Sequence, residues 1–211
     1  AIYPMVGSSA ASCAQNLKSS SFTGSFTPGW TFSSTGATPN GTSAYFDTGL
    51  NYSSNIGNNT SHQSFYSRTF QNAGVGEMGS FGGGQDNEFF LSYSGTLYGY
   101  NGTSYISASS QSNQTKGFYL LNAYNLQLKA FKNNSVISNT SSLTSYGAAN
   151  YNVYIGAPNN AGNAYLFSSK ECAFSSIGNG LTDTQASNFY TTVQKFNQSL
   201  NRQVGAQIVS D

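Results

Sequence analysis

Short segments that alternate polar and apolar residues, each closed by a turn signal, recur along this chain and constrain its fold more than any other feature. In residues 61–70, His62, Tyr66 and Phe70 fall on one face and Phe65 on the other. Comparable segments are residues 42–50, 87–95, 96–102, 117–125, 126–138, 150–158 and 164–178. A period of two is the pattern of half-buried strands, and many short strands with frequent turns are typical of a β-sandwich or jelly roll.

Two of the turns are specific enough to predict hairpins. Ser94-Gly95 separates two of the segments, and the KNNS sequence at residues 132–135 suits a tight turn because Asn tolerates positive φ. Residues 79–88 (GSFGGGQDNE) are expected to form a flexible loop. Its glycines do not form a phosphate-binding loop, because no Lys-Ser/Thr pair and no helix follow them.

One segment near the end of the chain has helical periodicity instead. Thr182 can cap this helix, Gln185 completes a capping box, and Asp183 lies in the first turn, where a negative charge suits the helix dipole. The apolar stripe consists of Ala186, Phe189, Tyr190, Val193, Phe196 and Leu200. We predict one amphipathic C-terminal helix that packs on the sandwich without chemistry of its own.

Composition narrows the function classes. The chain has 211 residues, which suits one large β domain over residues 1–211, and 37% hydrophobic residues, which suffice for a core. Charged residues are only 7% and the net charge is +1, with no cluster of Lys or Arg. Binding to nucleic acid or to an anionic membrane is therefore not expected. The first ten residues lack a signal-peptide pattern, and we expect the domain to be cut from a longer protein.

The cysteines are too few and too far apart for a zinc site. Cys13 and Cys172 could form a disulfide that joins the two ends of the domain, or they could remain free thiols.

Four segments carry a family resemblance: residues 1–18 (AIYPMVGSSAASCAQNLK), 29–51, 62–69 and 174–204. Together they resemble laminin-G-like, concanavalin-A-like jelly-roll domains. More narrowly, they are similar to the version in structural proteins of tailed bacteriophages and related bacterial surface proteins, in which an IGxGLT turn and a helix ending in RQV close the domain. The resemblance covers nearly the whole chain, although residues 74–145 match mainly in their strand pattern.

The resemblance implies an all-β jelly-roll sandwich of two antiparallel sheets in which the first and last strands are neighbours. The late helix would cover one end of the sandwich. Cys13 and Cys172 would lie in segments that come together, which favours the disulfide. Lectins of this kind often hold calcium through Asp and Asn oxygens, but the sequence has no clear set of such ligands, so no metal or other cofactor is expected.

Asp86 and Glu88 are the candidates for catalysis, because the same fold also occurs in glycoside hydrolases. Such enzymes need two carboxyl groups about 5 to 10 Å apart. On a strand, this spacing would put both side chains on one face. Glucanases of the fold have Glu-x-Asp-x-Glu, however, and Gly84 stands at the first position here. The simpler interpretation is an exposed acidic loop end.

His62, the single histidine, would have to be the base of any Ser-His-Asp triad. No G-x-S-x-G motif is present, so we expect a half-buried, hydrogen-bonding histidine instead.

Ligand binding is favoured over catalysis. Sugar sites combine aromatic faces with amide and hydroxyl groups. The candidate residues are Tyr98, Tyr100, Asn101 and Tyr105 around one turn, with Trp30 as a second platform. Packing or a solubilising surface is the plainer interpretation of each residue.

The expected function is a non-enzymatic virion module: a lectin-like or adhesive domain of a phage fibre, tail or capsid decoration, facing host-surface glycans. Its partners would be other virion proteins and a glycan, in a homo-oligomer such as a trimer. The alternatives are a purely structural assembly module, which predicts an apolar patch and no ligand cavity, and a polysaccharide-degrading hydrolase.

Overall fold

The strands of this chain form two β-sheets that pack face to face. The computed structural model describes residues 1–56, 60–111, 115–141, 143, 148–205 and 207. The strands are β1 (Ile2–Tyr3), β2 (Ser25–Phe26), β3 (Trp30–Ser33), β4 (Gly36–Pro39), β5 (Phe46–Asn51), β6 (Ser61–Ser67), β7 (Met78–Gly82), β8 (Gln85–Tyr93), β9 (Thr96–Asn101), β10 (Ser104–Ala108), β11 (Gly117–Tyr124), β12 (Gln127–Lys132), β13 (Ser135–Thr140), β14 (Asn152–Ile155), β15 (Asn159–Asn160), β16 (Asn163–Ala164) and β17 (Cys172–Gly178). The helices are α1 (Ala10–Cys13) and α2 (Asp183–Ser199), and Tyr52–Ile56 forms a π-helical turn.

The first sheet has the order β13-β12-β11-β6-β17-β4-β3, and β1 also pairs with β17. The second sheet has the order β10-β9-β8-β7-β14-β5-β2, with β15 and β16 attached beside β7. Pairing is antiparallel except that β15 lies parallel to β7. This architecture confirms the predicted all-β jelly-roll sandwich with a C-terminal helix, and the pairing of β1 with β17 confirms that the first and last strands are neighbours.

Side chains that alternate along the strands fill the space between the sheets. On β8, Phe89 and Leu91 are completely buried in this core, whereas Glu88 and Phe90 project from the opposite face of the sheet. The large core side chains include Tyr3, Phe46, Tyr52, Phe65, Met78, Tyr119, Leu121, Val153 and Ile155. The alternation read from the sequence therefore sets which residues build the core and which lie outside it.

The predicted hairpins form where the turn residues allow them. Ser94 and Gly95 have φ of 50° and 89° and join β8 to β9, and Asn133 has φ of 54° between β12 and β13. The prediction of a flexible loop at residues 79–88 is wrong. Gly83 and Gly84, with φ of 64° and 75°, make a two-residue hairpin turn, and the flanking residues belong to β7 and β8. Glycine suits both a loop and a turn that needs positive φ at two positions.

The helix α2 covers the outer face of the first sheet, not one end of the sandwich as expected. Its capping box is present: Thr182 accepts a hydrogen bond from the Gln185 backbone, and the Gln185 side chain bonds back. Strands β6, β11 and β17 carry apolar side chains on both faces. The apolar side chains on the outer face must therefore be buried by another element. The side chains buried between helix and sheet are Tyr66, Phe118, Leu120, Phe131, Ala173, Phe174, Ala186, Tyr190 and Val193.

The two cysteines are free thiols in this structure, so the disulfide favoured by the family resemblance is not formed. Both are completely buried, and each has its own acceptor at 3.5 Å: the Val6 carbonyl for Cys13 and the Phe174 carbonyl for Cys172. Burial raises the pKa of both thiols, which keeps them protonated and poorly reactive.

A buried ion pair joins the two sheets. Lys170, just before β17, places its Nζ 2.6 Å from Oε1 of Glu77, just before β7, and both side chains are completely buried. Ser168 Oγ donates to the same carboxylate at 3.1 Å, and the Leu91 amide donates to its other oxygen at 2.5 Å. The carboxylate is therefore fully hydrogen-bonded, as a buried charge requires.

Replacing Lys170 with Met leaves the Glu77 carboxylate buried without a cation. We expect the free energy of unfolding in urea to fall by about 3–5 kcal/mol. Lys129→Met is the matched control, because its partner Asp183 is 66% exposed and such a pair contributes about 0–1 kcal/mol. Equal losses in the two variants would show that the Lys170 charge does not stabilise the fold in this way.

Candidate functional site

A cavity of about 550 Å³ opens on the outer face of the second sheet. Seven aromatic residues line it: Phe81, Phe90, Tyr93, Tyr98, Tyr100, Tyr105 and Tyr165. The other lining residues are Asp86, Glu88, Asn160 and Leu166. This volume is in the range typical of small-molecule sites.

Strand alternation puts the tyrosines on this face. On β9, Leu97 is buried in the core while Tyr98 and Tyr100 project into the cavity. Gly99 faces the first sheet, where a Cβ would lie 2.3 Å from Leu121 Cδ1, so glycine allows the two sheets to approach here. Tyr105 on β10 is the register partner of Tyr100.

Tyr98, Tyr100 and Tyr105 form one cluster of neighbouring rings, the tyrosine platform, in which Tyr98 and Tyr105 are 6.4 Å apart at 42°. The Tyr98 and Tyr100 rings are 6.3 Å apart at 23°, and the Tyr100 and Tyr105 rings are 5.6 Å apart at 28°. Phe90 meets Tyr100 edge-on at 5.9 Å, which closes one side of the platform. Tyr105 is 58% exposed, so part of the platform is open to solvent and to a ligand.

Asp86 and Glu88, the carboxyl pair, form the polar part of the cavity. The structure confirms that both lie on one face of a strand, but they are not an exposed loop end, because β8 already begins at Gln85 and Glu88 is only 3% exposed. The Tyr165 hydroxyl donates to Glu88 Oε1 at 2.6 Å. The Asp86 and Glu88 side chains also hydrogen-bond to each other.

The carboxyl pair holds a proton at neutral pH. Burial, the charge of Glu88 and the hydrogen bond to it raise the pKa of Asp86 to about 9. Burial also raises the pKa of Glu88, although hydrogen bonds from Tyr165 and Asp86 oppose this shift. Asp86 is therefore the protonated partner at neutral pH and donates to Glu88 within the pair.

The side of the cavity opposite the platform comes from the segment between β14 and β17. Asn159 and Asn160 of β15 pair with Ser80 and Phe81 of β7, and the Gly76 amide donates to the Leu166 carbonyl at 2.8 Å. These contacts bring Tyr165 to Glu88 across 77 positions of the chain. No local pattern in the sequence indicates this approach.

The structure does not bring Trp30 and Asn101 to the cavity. Trp30 packs edge-on against Phe26 at 5.0 Å and beside the core, and its buried Nε1 has no hydrogen-bond partner. Asn101 is 2% exposed and donates to Ser61 Oγ at 3.1 Å. Their side chains serve packing and internal hydrogen bonding. The binding roles of Tyr98, Tyr100 and Tyr105 stay predictions.

His62 is half-buried and hydrogen-bonded, as expected. Its Nδ1 lies 2.6 Å from the Asn179 carbonyl and its Nε2 lies 3.0 Å from Ser176 Oγ, and burial lowers its pKa to about 4. A backbone carbonyl stands where a triad would have a carboxylate, and Ser176 is 1% exposed. This arrangement supports a structural role.

In the part of the chain that the structure describes, no three His, Cys, Asp or Glu side chains group together closely enough to hold a metal ion. Over the same residues, no helix has the length and apolar character needed to cross a bilayer.

Comparison with known proteins identifies the fold but no family. No family profile matches the sequence, and no curated protein is similar to it. Among solved structures, domain 4 of AbnA, a GH43 extracellular arabinanase from Geobacillus stearothermophilus in complex with arabinotriose, is similar with 14% identity, 79% of this chain and 87% of that chain covered, and a TM-score of 0.52.

The NanB sialidase from Streptococcus pneumoniae is similar at 10% identity and a TM-score of 0.50. That match covers 63% of this chain and 24% of NanB. A Ruminococcus gnavus IT-sialidase CBM40 bound to α2,3-sialyllactose gives 17% identity and a TM-score of 0.44, covering 63% of this chain and 82% of that chain. This chain spans about a quarter of the NanB chains that it matches. The likenesses to domain 4 of AbnA and to NanB show the fold alone, a β-sandwich.

The proton on Asp86 makes stability depend on pH. The folded protein keeps this proton up to about pH 9, whereas the unfolded chain loses it near the ordinary value of 3.8. Between these values the native state binds more protons, so the free energy of unfolding falls as pH rises. Asp86→Asn removes the titrating group without changing the shape. We expect the variant to have a higher Tm than the wild type at pH 8 and a similar Tm at pH 4; equal shifts at both pH values would contradict this assignment.

Proposed function

We propose that this chain is a non-enzymatic glycan-binding module whose ligand occupies the cavity on the second sheet. The observation that carries the proposal is the tyrosine platform, held beside the carboxyl pair and Asn160 in one open cavity. Sugar rings place their apolar C–H faces on aromatic rings and satisfy their hydroxyls with carboxylate, amide and phenol groups. This cavity offers both kinds of contact.

The geometry of the carboxyl pair favours binding over hydrolysis. A glycoside hydrolase needs its two carboxyl groups on either side of the scissile bond, about 5 Å or more apart. Asp86 and Glu88 share a hydrogen bond, so their carboxyl groups are closer to each other than this separation. Glu88 is also engaged by the Tyr165 hydroxyl. The pair is arranged to accept hydrogen bonds from a ligand.

A purely structural assembly module is the second candidate. It predicts a contiguous apolar patch and no ligand cavity. The cavity of about 550 Å³, with both aromatic and carboxyl groups in it, supports the binding role over this alternative. The likeness to an arabinanase domain described with arabinotriose is compatible with a carbohydrate ligand.

We further propose that the module lies on the surface of a tailed-bacteriophage virion. It would be part of a fibre, tail or capsid decoration that faces the host cell and contacts other virion proteins. The resemblance of residues 1–18 and 174–204 to such proteins supports this, as does a surface with few charges. Peptides of this chain should appear in mass spectra of purified virions of the phage that encodes it; their absence from virions would refute this location.

Tyr100→Ala tests the glycan site, because it removes the central ring of the platform. On a glycan array and on host-type capsular polysaccharide, the wild type should bind without releasing reducing ends. The variant should lose affinity by about tenfold, which corresponds to about 1.4 kcal/mol. Tyr124→Ala is the matched control, since this tyrosine is 39% exposed and lies outside the cavity.

Two results would argue against this function. Equal binding by the Tyr100 and Tyr124 variants would show that the ligand does not bind in the cavity. Release of reducing ends by the wild type, lost in Glu88→Gln, would show a hydrolase.

Phage fibres are usually trimers, and we expect this module to form one. Light scattering after size-exclusion chromatography should then give three times the 22.4 kDa of one chain. A mass equal to one chain at micromolar concentration would mean that residues 1–211 do not form a trimer by themselves.

A further inference from the structure

The carboxyl pair lies in a cavity with no cation beside it, unlike most of the other acidic side chains that the structure describes. Among the described residues, Glu77 is paired with Lys170, Glu171 with Arg68 and Asp183 with Lys129. Asp47 is half-buried and accepts a hydrogen bond from the Asn152 side-chain amide at 3.1 Å. Glu88 is more buried than Asp47, and the side-chain partners of the carboxyl pair among the described residues are each other and the Tyr165 hydroxyl.

A buried negative charge without a cation is unfavourable, and proteins usually pair such a charge or neutralise it with a proton. Here no cation is present, and the proton on Asp86 lowers the negative charge of the pair. Oδ1 of Asp86 is buried as well and has no hydrogen-bond partner. Both features indicate that the structure lacks a donor that a ligand could supply.

The cavity supplies nothing positive to meet this charge. Its described lining residues include no Lys, Arg or His. Apart from the carboxyl pair, Asn160 and Leu166, the lining is aromatic, and the faces of tyrosine and phenylalanine rings attract cations. The Tyr98, Tyr100 and Tyr105 rings lie beside the carboxyl pair in the same cavity. Both the carboxyl pair and the ring faces therefore favour a positively charged ligand.

We propose that the cavity takes saccharides that carry a positively charged amino group, with the ammonium held by Asp86 and Glu88 and the sugar ring on the tyrosine platform. This inference rests on the proposed glycan-binding function and specifies its ligand class. Saccharides that carry carboxylates, such as uronic or sialic acids, are excluded because a ligand carboxylate would lie beside two carboxyl groups in a cavity whose described lining has no cation.

The test compares two ligands that differ in one group: the glucosamine tetrasaccharide, with free amines, and the N-acetylglucosamine tetrasaccharide. In isothermal titration calorimetry at pH 6.5 and low salt, the wild type should bind the amine form at least tenfold more tightly. Raising the salt should weaken binding of the amine form and leave the acetylated form nearly unchanged, because salt screens charge pairs at a partly open site. Sialyllactose, as the anionic probe, should not bind.

Variants test whether the carboxyl pair causes the preference for the amine form. Asp86→Asn with Glu88→Gln keeps the shape but removes the charge, so the tenfold preference should fall below twofold. Asp183→Asn removes an acidic group on the opposite side of the molecule, beside Lys129, and should keep the preference intact. Circular dichroism of each variant shows whether it is folded, and the salt dependence of the wild type tests the charge contact independently of any variant.

The outcomes separate the two proposals. If the acetylated tetrasaccharide or another neutral glycan binds as tightly as the amine form, the cation inference is overturned and the glycan-binding function stands. If no saccharide binds on the array or in calorimetry, both proposals fall. If the preference survives in the double variant, the ammonium is not held by Asp86 and Glu88, and the inference is overturned.

Discussion

The buried contact between Lys170 and Glu77 fixes how the two sheets meet and, through them, where the cavity forms. Glu77 precedes β7, which pairs with both β8 and β15, while Lys170 closes the segment that carries Tyr165. A pair of apolar residues could stabilise such a position as well as an ion pair does. What the ion pair adds is geometry, because a buried Glu77 carboxylate tolerates only arrangements that bring Lys170 and Ser168 to it. The position of Tyr165 beside Glu88 follows from this restriction.

The molecule treats its acidic groups in two ways. Where a carboxylate holds the fold together, as Glu77 and Glu171 do, the chain supplies a lysine or an arginine within 3.1 Å. Where the carboxyl groups line the cavity, the described lining residues include no lysine or arginine, and the pKa of Asp86 is raised. Such an arrangement weakens the fold at neutral pH. Residues that reduce stability and lie together in a cavity are more readily explained by binding than by folding.

The parts of this structure that could be predicted from sequence are those that depend on neighbours along the chain. Period-two alternation and the Ser94-Gly95 turn place β8 and β9, and the same alternation groups Tyr98 with Tyr100. Phe90 could have been added, since it continues the alternation of Asp86 and Glu88. Tyr165 could not, because its place depends on pairing between β15 and β7. The helix was predicted correctly, but the face that it covers is set by strands that are apolar on both sides, such as β11.

The order of the strands has a consequence for how the cavity comes together during folding. Strands β7, β8, β9 and β10 follow one another as hairpins, so their contacts close short loops and can form early. The segment that carries Tyr165 pairs with β7 through β15, which lies far along the chain from β7. This contact therefore closes a long loop and is expected to form later. Most of the ring surface is thus built in one local unit, while the hydroxyl that engages Glu88 arrives late. A chain caught between these two stages would display an open, aromatic hairpin sheet to its surroundings, which is a hazard for aggregation during synthesis.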